Sequence, residues 1–205
     1  MRTYYLNQIR HDGLEVFQRL GKFKNSDSII DFGCGPGIIS RYLAKHSVAK
    51  GQVIGVDITK KMIATAIDSS AKENIKNTKF VEASMYKSPF PDNYFGQTLT
   101  LHIISDILIH SIIYPDHAVT RFTFHHLLNP KQALEEMIRV VKPNGTIVVV
   151  DATPKKINQD KYNEYEKLRD PSHTIALTSE ELIALGTLLS TLSSLTCLLV
   201  NSFRD

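Results

Sequence analysis

The stretch IIDFGCGPGIIS, residues 29–40, limits what this chain can fold into more than any other part of the sequence. An apolar run ends in Asp31, glycines follow at every second position (Gly33, Gly35 and Gly37), and apolar residues then resume at helical spacing. A glycine-rich turn between a strand and a helix lets the backbone approach a bound ligand closely. The stretch therefore predicts a ligand-binding loop between a buried strand and a helix.

Apolar segments of alternating type extend on both sides of this loop. Strands are predicted at 28–32, 52–57, 78–82 and 146–151, and helices at 3–20, 38–44, 60–71 and 130–141. In the helix at 60–71 the expected inward stripe is Met62, Ile63, Ala66 and Ile67. Strands this apolar, separated by helices, are typical of a parallel sheet covered on both faces. The sequence thus predicts one domain over residues 1–205, a doubly wound, mostly parallel α/β fold whose ligands lie at the carboxyl ends of the strands.

Composition narrows the classes of function. With 205 residues and 42% apolar content, the chain is long enough to bury a core, and its dispersed net charge of +3 argues against nucleic acid as a partner. Two distant cysteines, Cys34 and Cys197, and an N-terminus without an apolar signal segment favour an intracellular, cytoplasmic setting. Leu182–Val200 is uncharged and about long enough to span a bilayer, but its Ser, Thr and Gly residues favour a segment outside the membrane.

The chemistry around the glycines favours a cationic ligand over a phosphate. In a G-x-G-x-x-G reading, the third glycine is replaced by Ile38 or by Ser40, depending on the starting glycine. Pro36 removes an amide donor from the loop, and Asp31 places a carboxylate where it would repel an anion. S-adenosylmethionine carries a sulfonium and an ammonium but no phosphate, so it fits better. A nicotinamide cofactor bound through Gly35, Gly37 and Ser40 stays open as an alternative.

The loop also resembles a known family motif. DFGCGPG is similar to the D-x-G-x-G-x-G loop of class I S-adenosylmethionine-dependent methyltransferases, and VIGVDIT follows at the family's distance. FVEASMYKSPFPDNYF resembles the family's third-strand segment, and RFTFHHLLNPKQALEEMIRVVKPNGTIVVVD resembles the block from the end of strand four through strand five. The small-molecule enzymes that include those of ubiquinone and menaquinone biosynthesis are the most similar members. The resemblance implies a Rossmann-like methyltransferase fold acting on a small-molecule methyl acceptor.

The resemblance also implies a role for individual residues. Asp31, Gly33, Gly35 and Gly37 would form the methionine end of the cofactor pocket, and Asp57 would bind the ribose. Ser84 falls where the family has an acidic residue for the adenine, which predicts weaker cofactor binding than an aspartate would give. Two further residues are expected near the cofactor: Met85, either against the adenine or exposed on its loop, and Arg121 at the end of strand four.

The chain departs from the family pattern in two places. An apolar insertion at about 96–118 precedes the Arg121 block, and is interpreted as a lid, a partner surface or an abnormal product. Strand four is therefore predicted at 118–124, with 97–104 as the alternative. The tail at about 185–205 loses the pattern. It provides at most one strand, at about 195–200, of the family's C-terminal antiparallel pair, which would leave strand five as a poorly covered edge.

Methyl transfer needs no protein nucleophile, but a hydroxyl or carbon acceptor can need a general base. His125 and His126 are the candidates, with His173 a third, whereas Asp151 is expected to cap a helix or form a turn. His102, His110 and His117 lack the spacing of a metal site, so no metal is predicted. Three hypotheses follow: a small-molecule methyltransferase, a non-catalytic cofactor binder of the same fold, and a nicotinamide-dependent oxidoreductase.

Overall fold

In the computed structural model, which describes residues 14–92, 115–142, 145–190 and 196–201, strands and helices alternate along the chain. The strands are β1 (Ser28–Phe32), β2 (Gln52–Asp57), β3 (Thr78–Glu82), β4 (His117–Arg121), β5 (Thr146–Asp151) and β6 (Thr196–Asn201). The helices are α1 (Leu14–Gly21), α2 (Ile38–His46), α3 (Lys60–Lys72), α4 (Pro130–Val140), α5 (Gln159–Arg169) and α6 (Ser179–Ser190). Two short 3₁₀ turns occupy Phe124–His126 and Lys156–Asn158.

These strands form one sheet in the order β3-β2-β1-β4-β5-β6, and every neighbouring pair is parallel. The chain winds outward from β1 in one direction as far as β3, and then returns to place β4 on the other side of β1. The carboxyl ends of β1 and β4 therefore flank the point where the winding reverses, which is where open α/β sheets bind their ligands. The predicted doubly wound fold is confirmed.

The sheet is covered on both faces because successive side chains of a strand point to opposite sides. Ile30 and Phe32 of β1 pack with α4 and α6 in one apolar cluster, whereas Ile29, one residue before Ile30, packs with α1 and α2 in a second cluster. β4 and β5 alternate in the same way. Burial on both faces explains why these strands are nearly continuous apolar runs.

Side-chain caps and one buried ion pair fix the segments around the sheet. Asn129 accepts a hydrogen bond from the amide of Gln132 and caps α4. Thr178 and Glu181 cap α6 reciprocally, since each side chain accepts from the backbone amide of the other. Further along α4, Glu136 accepts two 2.6 Å hydrogen bonds from Ser88, and it pairs with Arg139. Glu136 thus fastens the PFPD segment to α4.

Strand four overlaps the segment 118–124 that the sequence predicts. It begins one residue earlier and ends three residues earlier, as β4. His117–Arg121 occupies the position between β1 and β5, so the alternative assignment of strand four to 97–104, which lies outside the described residues, is wrong. Most of the insertion, and the first part of the helix predicted at 3–20, lie outside the described residues. The end of the proposed insertion is corrected, because residues 117 and 118 already belong to β4.

Two other expectations need correction. In α3 the buried residues are Ile63, Ala66 and Ser70, while Met62 and Ile67 are 41% and 51% exposed. The helix lies over β2 and β3, so only a narrow stripe at i, i+3 and i+7 reaches the sheet.

The tail strand exists but is not antiparallel. β6 runs parallel to β5, because α5 and α6 carry the chain back across the sheet before it begins, and β5 is therefore not an edge. Of the uncharged stretch 182–200, residues 182–190 lie in α6 and residues 196–200 in β6. Within the part of the chain that the structure describes, no helix is long and apolar enough to cross a membrane.

Candidate active site

The glycine loop connects β1 to α2 at the carboxyl edge of the sheet. Gly33, Gly35 and Gly37 all have positive φ angles, of 67°, 52° and 77°. Side chains larger than hydrogen are strained in this region of backbone space, so the alternating glycines allow the loop to fold as it does. Cys34, between the first two glycines, is buried, and burial raises the pKa of its thiol. It is a small core residue.

The space around the three glycines differs sharply. A Cβ added to Gly33 would lie 2.4 Å from the side chain of Thr123, and one added to Gly37 would lie 2.9 Å from Ala66. At Gly35 the same construction meets nothing within 4 Å. Gly33 and Gly37 are therefore required for packing, whereas Gly35 faces open space where a ligand could approach the backbone.

The amides of this loop are engaged within the protein. Gly35 donates to Oδ2 of Asp57 at 2.9 Å, Cys34 donates to the carbonyl of Val56, and Gly37 donates to the carbonyl of Cys34. Pro36 has no amide hydrogen. The middle of the loop thus lacks the convergent N–H groups that hold a pyrophosphate in dinucleotide sites.

Asp31, at the end of β1, is almost completely buried. Its Oδ2 accepts a 2.6 Å hydrogen bond from the hydroxyl of Ser40, in the first turn of α2. Burial raises the pKa of Asp31 most strongly; the hydrogen bond from Ser40 lowers it, and the charge of Asp57 raises it, giving a pKa of about 7. A cation bound nearby would favour the ionised form of this carboxylate. The site is electrostatically suited to a positively charged ligand.

The predicted ribose and adenine residues follow β2 and β3, which are adjacent in the sheet. Asp57 ends β2, and its Oδ1 accepts from the amide of Thr59 at 2.8 Å. Ser84 is half-buried two residues beyond β3, and its hydroxyl accepts from the amide of Tyr86. Met85 is buried in the apolar cluster that contains Phe32, so it is not an exposed loop residue. Its buried side chain is therefore closed to an adenine.

Ile58 was not among the candidate site residues identified from the sequence. It directly follows Asp57, and although apolar it is 71% exposed. An exposed aliphatic side chain beside the predicted ribose residue offers a surface on which a planar base can pack. Its position immediately after strand β2, at the ligand edge of the sheet, is the sequence feature that could have identified it.

Arg121 ends β4 on the other side of β1. Its guanidinium lies 4.5 Å from the centroid of the Phe122 ring, a cation–π distance. Phe122 has a positive φ of 53°, which is unfavourable for an aromatic residue and often marks a functional loop. Thr123 then places its hydroxyl 3.5 Å from the carbonyl of Gly33. These residues bring the end of β4 against the glycine loop.

His125 and Asp151 form a pair at the carboxyl ends of β4 and β5. Nδ1 of His125 lies 2.5 Å from Oδ1 of Asp151, and Oδ2 accepts from the backbone amide of His125 at 3.2 Å. Burial, the largest effect, lowers the pKa of His125, but the hydrogen bond and charge of Asp151 raise it above its ordinary value overall. Asp151 also accepts from the amide of the adjacent Ala152, but residues 152–155 form neither a turn nor a helix, so the expected capping or turn role is not observed.

The other two histidine candidates have different surroundings. His126 packs its ring 4.2 Å from that of His125, and its Nδ1 lies 3.0 Å from the hydroxyl of Ser172. His173 is buried, with its ring 5.4 Å from that of His125 and its Nε2 2.7 Å from Oδ1 of Asn163. Burial and the neighbouring His125 lower the pKa of His173. The structure therefore brings all three histidines together, but only His125 contacts a carboxylate at hydrogen-bond distance.

His117 lies at the opposite edge of the sheet. Its Nε2 contacts Oδ2 of Asp27 at 2.9 Å, and its Nδ1 accepts from the amide of Thr146. Both ring nitrogens are thus used in holding the amino ends of the strands. His102 and His110 lie outside the described residues. Among the residues that are described, no cluster of three or more His, Cys, Asp or Glu side chains could hold a metal ion.

Comparison with known proteins decides the family. A family model described as Methyltransferase domain matches residues 23–189 of the chain. The chain belongs to this methyltransferase family. The resemblance seen in the glycine loop and the segments after it is confirmed.

Individual relatives of this methyltransferase chain agree with the family match. It is 34% identical over 135 residues to an uncharacterized methyltransferase of Schizosaccharomyces pombe, covering 63% of this chain and 41% of that protein. It is 26% identical over 137 residues to the ubiquinone/menaquinone biosynthesis C-methyltransferase of Stutzerimonas stutzeri, covering 66% of this chain and 45% of that protein. The crystal structure of the YcgJ protein of Bacillus subtilis superposes with a TM-score of 0.72 at 24% identity, covering 87% of this chain and 68% of that one.

The extent of the match limits what can be transferred. The methyltransferase chain spans about half of the length, or less, of the curated relatives named above. The superposition on the YcgJ protein shows a shared fold.

Proposed function

We propose that the chain binds S-adenosylmethionine at the carboxyl ends of β1 and β2 and catalyses transfer of its methyl group to a small molecule. One observation carries the choice of ligand: the loop amides of Cys34, Gly35 and Gly37 are engaged within the protein, while a buried carboxylate, Asp31, lies in β1 two residues before Gly33. This arrangement disfavours a phosphate and favours a cation. The family match and the ordered sequence motifs point to the same cofactor.

Each part of the site has a role in this proposal. Asp31 and the glycine loop, Gly33, Gly35 and Gly37, hold the methionine end of the cofactor, with Arg121 at its border. Asp57 accepts hydrogen bonds from the ribose hydroxyls with lone pairs that the amides of Gly35 and Thr59 leave available. Ser84 and the backbone of Met85 contact the adenine edge. When bound, the cofactor supplies a methyl group activated by the sulfonium, and the protein contributes orientation and proximity.

A small molecule is the acceptor class that the observations favour. The chain has no Asn/Asp-Pro-Pro-Tyr sequence after β4 and no Pro-Cys pair, which disfavours methylation of nucleobases or of glutamine amides. The relative from Stutzerimonas stutzeri carries the name of an enzyme of quinone biosynthesis, which supports a small acceptor for this chain. The dispersed charge likewise gives no basic surface for nucleic acid.

Isothermal titration calorimetry of the full chain with S-adenosylmethionine and with S-adenosylhomocysteine tests the proposal. We expect saturable one-to-one binding of both ligands, and a flat fluorescence titration with reduced nicotinamide at millimolar concentration. The exposed variant Ser26→Asp, far from the site at the amino end of β1, is the control for handling and folding. Absence of binding for both adenosyl ligands, with the chain folded by circular dichroism, would overturn the proposal.

A cofactor-binding protein without transferase activity is the second candidate. Ser84 favours it, since the hydroxyl gives the adenine no charge-assisted contact. Binding of S-adenosylmethionine without methylation of any acceptor in a broad metabolite extract would support this candidate, and detectable methylation would exclude it.

A further inference from the structure

The contact between His125 and Asp151 points to a proton-transfer function that the cofactor site alone does not require. We infer that His125 is the general base of the methyl transfer, that Asp151 orients it, and that the acceptor is a hydroxyl or an acidic carbon. This inference rests on the proposed function and deepens it by naming the acceptor class.

The hydrogen bonds determine which nitrogen of His125 acts. Asp151 accepts from the amides of His125 and Ala152, which is the pattern of an ionised carboxylate, and its Oδ1 lies 2.5 Å from Nδ1 of His125. An ionised carboxylate can only accept, so Nδ1 carries the hydrogen in this contact. In the neutral imidazole Nε2 is then the basic nitrogen. The side chain of His125 is 17% exposed, so the ring is accessible from outside the core.

The position of His125 connects it to the methyl-donor end of the proposed cofactor site. Thr123 presses against Gly33, with its hydroxyl 3.5 Å from the glycine carbonyl, and His125 follows two residues later in the 3₁₀ turn. Asp151 ends β5, next to β4 in the sheet. The pair therefore lies at the ligand edge of the sheet, on the side of the glycine loop opposite Asp57.

The loop after α5 holds the turn in place. Thr174 donates from both its amide and its hydroxyl to the carbonyl of His125, each at 2.8 Å. The two other histidines contact the ring of His125, but neither contacts Asp151. The titratable and charged groups around His125 come from its own turn, from β5, from α5 and from the loop that follows: His126, Asp151, Tyr162, Glu166, Lys167, Asp170 and His173. The carboxylates of this set raise the pKa of His125. The ring therefore becomes the neutral base at a higher pH than an ordinary histidine does.

The reaction step balances without any further reactant. The acceptor hydroxyl gives its proton to Nε2 of His125 while its oxygen forms a bond to the methyl carbon. The bond from that carbon to sulfur breaks, and its electron pair stays on sulfur, so the products are the methyl ether, S-adenosylhomocysteine and a histidine that later releases the proton to water. An acidic carbon follows the same scheme with a new carbon–carbon bond. A neutral amine would need no base before attack, so the pair favours an oxygen or carbon acceptor.

Transfer of label from methyl-labelled S-adenosylmethionine to two hydroxyl probes, catechol and naphthol, and to one amine probe that is neutral near pH 7, aniline, tests the inference. We expect methylation of a hydroxyl probe in preference to the amine, with a rate that rises with pH through an ionisation above 6.5, the ordinary pKa of histidine. His125→Asn, which keeps a donor toward Asp151, is expected to reduce the rate roughly 10²-fold or more. Asp151→Asn is expected to reduce it at least tenfold and to move the ionisation to lower pH.

Matched variants and an independent readout separate the outcomes. His46→Asn and Asp68→Asn change exposed residues of α2 and α3 and should retain the wild-type rate. Nitrogen NMR of the imidazoles should show His125 protonated at Nδ1 in the wild type and not in Asp151→Asn.

Calorimetry with S-adenosylmethionine keeps the two proposals apart, because loss of cofactor binding in the wild type contradicts the proposed function itself. With binding intact, preference for the amine, no methylation of either hydroxyl probe, unchanged rates in both pair variants, or a larger loss in His126→Asn than in His125→Asn would each overturn the inference.

Discussion

The backbone amide of Gly35 donates a 2.9 Å hydrogen bond to Oδ2 of Asp57, and the other oxygen of that carboxylate accepts from the amide of Thr59 at 2.8 Å. One side chain at the end of β2 therefore holds the glycine loop after β1 and the start of α3 in a common arrangement. The two loops that are proposed to contact the cofactor are connected before any ligand binds. This connection reduces the cost of ordering them on binding.

Gly35→Ala should separate cofactor binding from folding. The added Cβ meets no protein atom within 4 Å, so the main cost is the positive φ, about 1 kcal/mol of the free energy of unfolding. Because the methyl group would enter the space proposed for the cofactor, we expect S-adenosylmethionine affinity to fall at least tenfold. Gly33→Ala is the contrasting variant, since its Cβ would clash with Thr123 and destabilise the fold itself. Calorimetry and urea unfolding of both variants provide the test; wild-type affinity in Gly35→Ala would contradict the proposed cofactor position.

Ser84→Asp should strengthen cofactor binding. An aspartate can accept from the adenine amino group with charge assistance, which is worth about 1 kcal/mol more than a neutral hydroxyl, or roughly fivefold in affinity. It can also replace the serine hydroxyl that accepts from the amide of Tyr86. Ser26→Asp adds the same charge at an exposed position near the opposite edge of the sheet. If titration calorimetry gives the same or weaker affinity for Ser84→Asp, the assignment of Ser84 to the adenine is wrong.

Asp31→Asn should stabilise the fold at alkaline pH while weakening cofactor binding. The pKa of Asp31 is raised from 3.8 to about 7, so the folded state holds a proton that the unfolded state has lost between these values. The stability of the wild type therefore declines as pH rises from about 4 to 7 and is constant above this range. The asparagine variant lacks this decline, and its advantage should reach as much as about 4 kcal/mol above pH 7.

Urea unfolding from pH 4.5 to pH 8.5 measures this difference, with the exposed Asp68→Asn as the control. An advantage that grows toward acid pH would show that the ionised carboxylate is stabilised rather than penalised by its surroundings. The weaker cofactor binding expected at every pH would be an example of stability sacrificed for function.

The pairing of His125 with Asp151 should stabilise the fold more at acid than at alkaline pH. Because the pKa of His125 is raised in the folded state, its stabilising contribution is complete below the unfolded pKa of about 6.5 and is lost as pH rises through the folded value. The difference in unfolding free energy between the wild type and Asp151→Asn should therefore be larger at pH 5.5 than at pH 9. Chemical denaturation at the two pH values provides the measurement, and a difference that is equal or larger at pH 9 would contradict the assigned direction.

Glu136→Ala should be among the most destabilising single changes on α4. It would leave the amide and hydroxyl of Ser88 without their buried acceptor, at a cost of about 2 kcal/mol, while the partly exposed Arg139 keeps its ion pair with Asp92. Glu135→Ala, at the adjacent exposed position, removes only a 3.6 Å surface ion pair with Lys131 and should cost less than about 0.5 kcal/mol. Urea unfolding compares the two variants directly, and equal losses would mean that Glu136 does not anchor the PFPD segment.

Local sequence patterns predicted where most helices and strands lie in the chain, but not the direction in which every strand runs in the sheet. Val53–Val56 and Ile147–Val150 are apolar runs that only a strand buried on both faces satisfies, so β2 and β5 could be read without a structure. The direction of β6 could not be read, because it depends on how α5 and α6 cross the sheet. The same is true of Met62 and Ile67, whose exposure follows from how much of α3 the sheet can cover.

The candidate site divides in the same way. The order of Asp31, the three glycines and Asp57 was sufficient to predict a cationic nucleoside cofactor, since strand–loop–helix geometry places them at one edge of any parallel sheet. Contacts with distant residues such as Val56, Thr123 and Ala66 determine which loop amides are engaged. The same contacts leave Gly35, alone of the three glycines, facing open space.

The sequence by itself determined the fold class, the family and the loop that carries the proposed cofactor, because these depend on short-range periodicity and on motifs contiguous in the chain. Only the tertiary structure decided that His125, rather than His126 or His173, lies within hydrogen-bond distance of a carboxylate. Asp151 is 26 residues away and reaches His125 because β4 and β5 are paired in the sheet. A hydrogen bond between neighbouring strands depends on their register and their packing, and no local pattern of residues encodes either one on its own.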